Sequence, residues 1–349
     1  MPTVHLSAAV EQYGAARATR YSSTTVKNEM SVLQRLVHNL GNPTVDKVTP
    51  GMIEGWFASV MKPHTDRIGI DREPVAASTA NYYRTRIQSL QRYCTQRGWT
   101  TTDWLAHSPR MRQAKRTRQQ PAVDLLLAML DATNDPRNRA VLAVAMNTGL
   151  RSSEIGLLKV GDVDLNTLTL RTWINKSLLE DEMPMTSDLA GELRTWMRTY
   201  AKRIGRPLIP ADHLLPAYAG PRIGYRKDEN GTLVKYMRES VILPHRPALK
   251  LHRIAQEALR SVGLDTKGEG IHTLRRATAR AFYDSLKAQG HEAAIRQVMV
   301  LLHHSNQSTT ESYLGVTPER EARNVSLRGR SFLRRSTTAD VLPLRTSRL

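Results

Sequence analysis

Sulfur chemistry is almost missing from this chain: of 349 residues, only Cys94 is a cysteine. One thiol makes no internal disulfide and builds no cysteine-ligated zinc site, which removes the disulfide-stapled and zinc-ribbon classes. Long apolar runs are missing as well. No stretch reaches the roughly 20 apolar residues of a bilayer-spanning helix, and Met1-Pro2-Thr3-Val4-His5 lacks the charged-then-apolar layout of a secretion signal. A cytoplasmic protein with no membrane partner is the expectation. Acidic residues are scarce beside basic ones, 32 against 51, for a net charge of +19. Such an excess suits a polyanion, because each phosphate neutralised releases condensed counterions. Charge alone leaves a ribosome-adjacent or membrane-surface factor open.

The first hundred residues read as helices. Val26, Met30, Leu33, Val37 and Leu40 recur at helical spacing and Gly41 follows as a stop. Thr49-Pro50 is a cap with proline at the first helical position. From Ser78 to Arg97, Tyr83, Ile87, Leu90 and Cys94 share one face, while Arg84, Arg86, Arg92 and Arg97 lie mainly off it. These arginines are either a solvated face or a DNA-facing one. Residues 62–74 read as a loop. Arg110, Arg112, Lys115, Arg116 and Arg118 then crowd a stretch without an acid, which reads as an exposed linker lying across a phosphate backbone or as a plain tether. The expected organisation is a helical DNA-binding domain over 1–109, a basic linker over 110–120, a second domain over 121–316 and a basic tail over 317–349. In the second domain, Leu165 to Ile174 alternates as a strand, with Met183-Pro184-Met185 as its return. Residues 205–247 read as irregular, apart from a hairpin around Asn230-Gly231.

Four islands carry chemistry. Thr148-Gly149-Leu150-Arg151-Ser152-Ser153-Glu154 comes first, then Lys176 after the strand ending at Ile174. His272-Thr273-Leu274-Arg275-Arg276 follows, and last Leu302-His303-His304 with Thr310 and Tyr313. Cleaving a phosphodiester without metal gathers negative charge on the non-bridging oxygens. Arginine suits that charge, since its planar fork gives directed donors and stays ionised. The 5′ oxygen leaves only when protonated, which a lysine can do, and histidine is poised to move a phenol's proton near neutral pH. His303 and His304 as a metal pair is disfavoured, because adjacent residues point apart and no carboxylate or cysteine cluster joins them.

In this order the islands resemble the tyrosine recombinases, the phage integrase family, whose pattern is Thr-Gly-Leu-Arg-x-x-Glu, a hairpin lysine, His-x-Leu-Arg, Leu-Gly-His and Thr-x-x-Tyr. His303 stands where the family usually has glycine, and Arg276 where a histidine is common. The resemblance implies a mainly α fold with a small antiparallel β-sheet (α+β), in two lobes forming a C-shaped clamp on DNA. It implies that Tyr313 attacks the scissile phosphate and forms a 3′-phosphotyrosyl bond. Arg151, Arg275 and His304 would hold the phosphate, Lys176 would protonate the 5′ oxygen, His272 would assist proton transfer or bind phosphate, and Glu154 would buttress the site. No metal, ATP or other cofactor is implied. The implied partners are double-stranded attachment or core sites, bound by a homotetramer on two duplexes through a Holliday junction, with a directionality or DNA-bending factor as the accessory class. The implied place is the nucleoid of a bacterial host, and the implied role is integration and excision of a phage or mobile element. A resolvase-type recombinase of the same family, and an inactive or architectural DNA-binding protein, are the alternatives.

Overall fold

The structure, a computed structural model, describes residues 3–65, 71–113, 118–174, 179–219, 223–229, 231–237, 240–316 and 326. The chain divides into two compact units, Met1–Arg116 and Thr117–Leu349. Most of the described residues are helical, with short antiparallel strand pairs and one three-stranded sheet. None of the described helices is long and apolar enough to cross a membrane.

The first unit packs α1 (Leu6–Ala18), α2 (Ser23–Asn39), α3 (Pro50–Val60) and α4 (Ala77–Gln96) around one core. Caps set the starts of two of them. The Ser22 hydroxyl accepts from Thr25 N–H, and Thr49 accepts from Met52 N–H with Pro50 behind it. The stretch between α3 and α4 is not a plain loop: β1 (His64–Thr65) pairs antiparallel with β2 (Asp71–Arg72). On α4 the face of Tyr83, Ile87, Leu90 and Cys94 is buried as its spacing predicts. Burial pushes the Cys94 thiol up to about 12, so it stays protonated and unreactive.

On α2 the buried face is rotated from the one the apolar spacing predicts. It consists of Glu29, Val32, Leu33 and Leu36. The reason is a buried carboxylate. Glu29 Oε1 accepts from Tyr13 Oη at 2.7 Å and from Arg86 Nη1 at 3.3 Å, and Oε2 accepts from Arg17 Nε at 3.0 Å. Arg86 therefore turns inward to serve the core. Glu29→Ala leaves the Tyr13 hydroxyl without its acceptor and two guanidiniums without their counter-charge. We expect a loss of about 3–5 kcal/mol in the first unit, read as an earlier urea midpoint at unchanged slope.

The second unit is built around α6 (Pro136–Thr148), which follows α5 (Val123–Asp131). The Asp135 carboxylate caps α6 by accepting from Asn138 N–H at 2.8 Å. Every residue from Ala140 to Met146 is buried, as expected of a helix apolar on all sides. After α7 (Ser152–Leu157), β3 (Val163–Asp164), β4 (Thr169–Ile174) and β5 (Leu179–Pro184) form a three-stranded antiparallel sheet, with Ile174 opposite Leu179. Leu170, Thr172 and Ile174 are buried while Arg171 and Trp173 are exposed, the period of two that the sequence carries.

Next comes α8 (Ser187–Ile204). The 205–247 stretch read as irregular holds four strands: β6 (Pro216–Ala219), β7 (Ile223–Lys227), β8 (Leu233–Met237) and β9 (Val241–Pro247). β7 and β8 form the hairpin expected around Asn230-Gly231, and β6 pairs with β9 across it. The unit closes with α9 (Leu251–Ser261), α10 (Ile271–Ala288), α11 (Ala294–Leu301) and α12 (Gln307–Leu314). A separate core joins α10, α11 and α12 through Ala279, Tyr283, Leu286, Val298, Leu302, Leu314 and Val316. The expected basic tail, 317–349, lies outside the described residues apart from Ser326.

Candidate active site

The first island sits at the junction of α6 and α7. Gly149 ends α6 at a φ of 63°, the left-handed value that favours glycine. The chain then extends so that Arg151 caps α7. Its backbone N–H donates to Glu154 Oε2 at 2.7 Å and its Nη1 donates to Glu154 Oε1 at 2.8 Å. Glu154 is buried, so one carboxylate fixes both the main chain and the head of Arg151. That is a holding role, not a reacting one.

Arg275 comes from the first turns of α10 and is 1% exposed. Its Nη1 donates to the Gly149 carbonyl, and its Nη2 donates to the Leu302 carbonyl at 2.6 Å. These carbonyls stand just before Arg151 and just before His303-His304. One guanidinium thus pins the first and last islands to the third. Burial, then the nearby Arg151 charge, lowers the Arg275 pKa from its very high ordinary value. Its neighbour Arg276 has a different task, pairing with the Glu269 carboxylate and donating from Nε to Gln119 O at 3.3 Å.

Tyr313 lies near the end of α12. Its hydroxyl donates to the His272 carbonyl at 3.2 Å, and the Arg275 charge acts on the same phenol. Its ring meets the edge of the His304 imidazole with centroids 5.5 Å apart at 82°. His304 Nδ1 is 3.0 Å from the buried Thr310 hydroxyl, which fixes the ring on the α12 side. Burial raises the Tyr313 phenol above its ordinary 10.0, against the lowering pull of Arg275, Arg276 and Arg151. His272 reaches the surface beside them. Partial burial, then Arg275, Arg276 and Arg151, holds its imidazole below the ordinary 6.5, with Glu154 acting the other way.

Arg151, Glu154, His272, Arg275, His304 and Tyr313 are therefore brought together from α7, α10, the turn after α11, and α12. Lys176 falls in the connection 175–178, outside the described residues. The two adjacent histidines part company, because His303 Nε2 bonds Asp181 Oδ2 of β5 at 2.8 Å. His303 also has a φ of 49°, which accounts physically for a glycine preference at such a position.

The arginines read as DNA-binding are scattered in role. Arg86 is held by Glu29, and Arg84 Nε donates to the Ser108 carbonyl at 2.6 Å. Arg92 is exposed and lines a polar cleft of about 480 Å³ with Arg17, Arg20 and Arg97. The 110–120 stretch is not a free tether at its described ends. Asn81 bonds both the N–H and the carbonyl of Met111, while Arg118 pairs with Glu269 at 3.7 Å. Arg110 and Arg112 are exposed, and Lys115 and Arg116 lie outside the described residues.

The model of the phage integrase family matches residues 115–320, more than half of the chain and all of the islands. The chain belongs to the phage integrase family. It is accordingly a tyrosine recombinase, an enzyme that cleaves and religates DNA strands. The tyrosine recombinase XerD of Pasteurella multocida is 27% identical over 256 residues, 70% of this chain and 73% of that protein. The fold is that of a lambda integrase dimer bound to a COC′ core site, with a TM-score of 0.62 at 17% identity over 89% of this chain and 77% of the other. It also matches a Tn1549 transposon integrase in complex with transposon right end DNA, with a TM-score of 0.65 at 11% identity over 93% of this chain and 98% of that one.

Proposed function

We propose that this recombinase is a site-specific integrase that breaks one strand of its site by attack of Tyr313 on the scissile phosphate. The observation that carries the reading is the convergence of a phenol, two arginines and two histidines from elements far apart in sequence. Tyr313 Oη forms the new bond to phosphorus and the 5′ oxygen leaves, giving a 3′-phosphotyrosyl link. Arg151, Arg275 and His304 hold the non-bridging oxygens, where fixed donors are worth a few kcal/mol each, roughly, in barrier height. Lys176 protonates the leaving 5′ oxygen, and His272 accepts or relays the phenolic proton. The phosphodiester energy is kept in the tyrosyl ester, so religation needs neither ATP nor a metal.

The cleft of Arg17, Arg20, Arg92 and Arg97 lies along a phosphate backbone in this reading, with Arg110 and Arg112 as further contacts. Double-stranded core sites are the substrate. A homotetramer on two duplexes passes through a Holliday junction, in the bacterial cytoplasm, with a directionality or bending factor as an accessory partner. Domain roles follow the same lines: core-site binding by the first unit, catalysis by 121–316, and a tail that docks on a neighbouring subunit.

The test is covalent trapping on nicked duplexes made from DNA flanking the protein's own gene. A denaturant-resistant adduct that survives chelator is expected. DNA that is bound but never yields an adduct would favour the architectural reading instead. The relatives named XerD favour one second reading, a resolvase-type enzyme. Efficient resolution between two identical sites, with no joining of dissimilar ones, would select it.

A pH profile checks His272. The base form is the neutral one, and its pKa lies below 6.5. Protonation removes the acceptor as pH falls through that lowered value, so adduct formation should hold level from pH 9 down to about 7 and drop only below about 6.5. Tyr313, held above 10.0, stays protonated across that window. An acid limb centred above 6.5 would take the proton transfer away from His272.

A further inference from the structure

The nucleophile sits on a weak support. α12 has eight residues, too few to hold its shape alone. Asn306 caps its start by accepting from Ser308 N–H at 2.8 Å, and Gly315 closes its end with N–H donated to Glu311 O. The carbonyls of Tyr313 and Leu314 fall in the last turn, where no intrahelical donor remains. Both accept from one side chain far away in sequence: Gln120 Nε2 lies 3.1 Å from Tyr313 O and 3.2 Å from Leu314 O. Two carbonyl acceptors settle the amide orientation, since only the NH₂ end can donate and it has two hydrogens.

Gln120 is itself anchored. It ends the segment that leads from the first unit into the second, and its neighbours are tied to the start of α10. Arg276 Nε donates to Gln119 O at 3.3 Å, Gln119 Nε2 donates to Asp265 O at 3.3 Å, and Arg118 Nη1 donates to Gly268 O at 3.4 Å. The Tyr313 hydroxyl refers to the same place through the His272 carbonyl. Both ends of the nucleophile residue, main chain and phenol, are thus registered on the N-terminus of α10, the helix that carries Arg275.

We infer that Gln120 is a positioning residue for the nucleophile: it holds the Tyr313 main chain so that the phenol meets a phosphate bound by Arg275. The inference rests on Tyr313 being the nucleophile. Displacing a reacting group by about 1 Å costs on the order of a hundredfold in rate without altering binding. The sensitive substitution is Gln120→Glu, which keeps the shape, removes both donors and sets a carboxylate against two carbonyl oxygens. Gln120→Ala removes the donors without that repulsion.

The experiment measures three quantities on the full chain: the dissociation constant for a nicked site duplex, the rate of adduct formation at saturating duplex, and the unfolding midpoint. The expected result is a split. Gln120→Glu should form adduct about 30- to 100-fold more slowly, and Gln120→Ala about tenfold more slowly, with binding and midpoint near wild type. Gln289→Ala, an exposed amide at the far end of α10, should cleave at the wild-type rate. Wild-type rates in both Gln120 variants would overturn the inference. So would rate, affinity and midpoint falling together, or an equal loss in Gln289→Ala, because each describes general support of the fold. A wild-type protein that yields no adduct would instead remove the Tyr313 reading on which this one stands.

Discussion

Tyr313→Phe should bind its site DNA with unchanged affinity and form no covalent adduct. The only heavy atom removed is the phenolic oxygen, which donates to the His272 carbonyl at 3.2 Å. A single hydrogen bond of that kind is worth about 0.5–1.5 kcal/mol net, too little to unfold the unit. The ring remains to meet the His304 edge, and Leu314 and Val316 still fill the small core beneath α12. Chemistry has no such reserve. The attacking oxygen itself is gone, so we expect cleavage to fall at least about a thousandfold. Gel retardation and adduct trapping on one nicked duplex separate the two quantities. Adduct of wild-type yield in this variant would move the nucleophile elsewhere.

Arg275→Lys should be the most costly change that keeps charge. The guanidinium reaches the Gly149 and Leu302 carbonyls at once, and its charge pulls down the pKa of the Tyr313 phenol. An ammonium is a point donor that does not span that fork. Two effects should appear together. A buried carbonyl left without a donor costs about 1–3 kcal/mol, and here two are at stake, so the second unit should unfold at lower denaturant. Loss of a fixed donor to the phosphate should slow adduct formation by about 10²–10³. Arg275→Ala should show both effects more strongly. A lysine variant with wild-type midpoint and wild-type rate would mean that the fork is not what joins the islands.

The physical link between these two predictions is Arg275 itself. Arg151 follows the left-handed Gly149, and His304 follows the left-handed His303. Both bends expose a main-chain carbonyl just upstream, and Arg275 donates to each. The site is therefore assembled through main chain as much as through side chains, which places Arg275 among the largest fully buried side chains of the described residues.

Some of this was legible in the residues alone, for reasons that are local. A strand alternates because successive side chains point to opposite faces, so β4 could be read from Leu170, Thr172 and Ile174. Thr49-Pro50 opens α3 because a hydroxyl satisfies a free N–H group and proline tolerates the first turn. The islands stood out because their residue types suit one reaction and their order matches one family. By contrast, the rotation of the buried face of α2 could not be read, since a glutamate at Glu29 looks solvent-facing until Tyr13, Arg17 and Arg86 are found around it. β6 and β9, on either side of the expected hairpin, were obscured by prolines and glycines that usually mark irregular chain, although an edge pair tolerates them.

What the sequence by itself determined is the inventory: a basic, two-unit chain of the phage integrase family, with Arg151, His272, Arg275, His304 and Tyr313 as the candidate site residues, in an order resembling that family's pattern. Spacing and composition are properties of the chain, so they survive without coordinates. What only the tertiary structure decided is which groups serve the site and which serve the fold. Arg86 and Arg276 carry the same charge as Arg92 and Arg275, yet Arg86 answers Glu29 and Arg276 answers Glu269. Gln120 has no motif around it and lies 193 residues from Tyr313 along the chain. A hydrogen bond depends on a few tenths of an ångström and on direction, and neither is set until distant segments have packed.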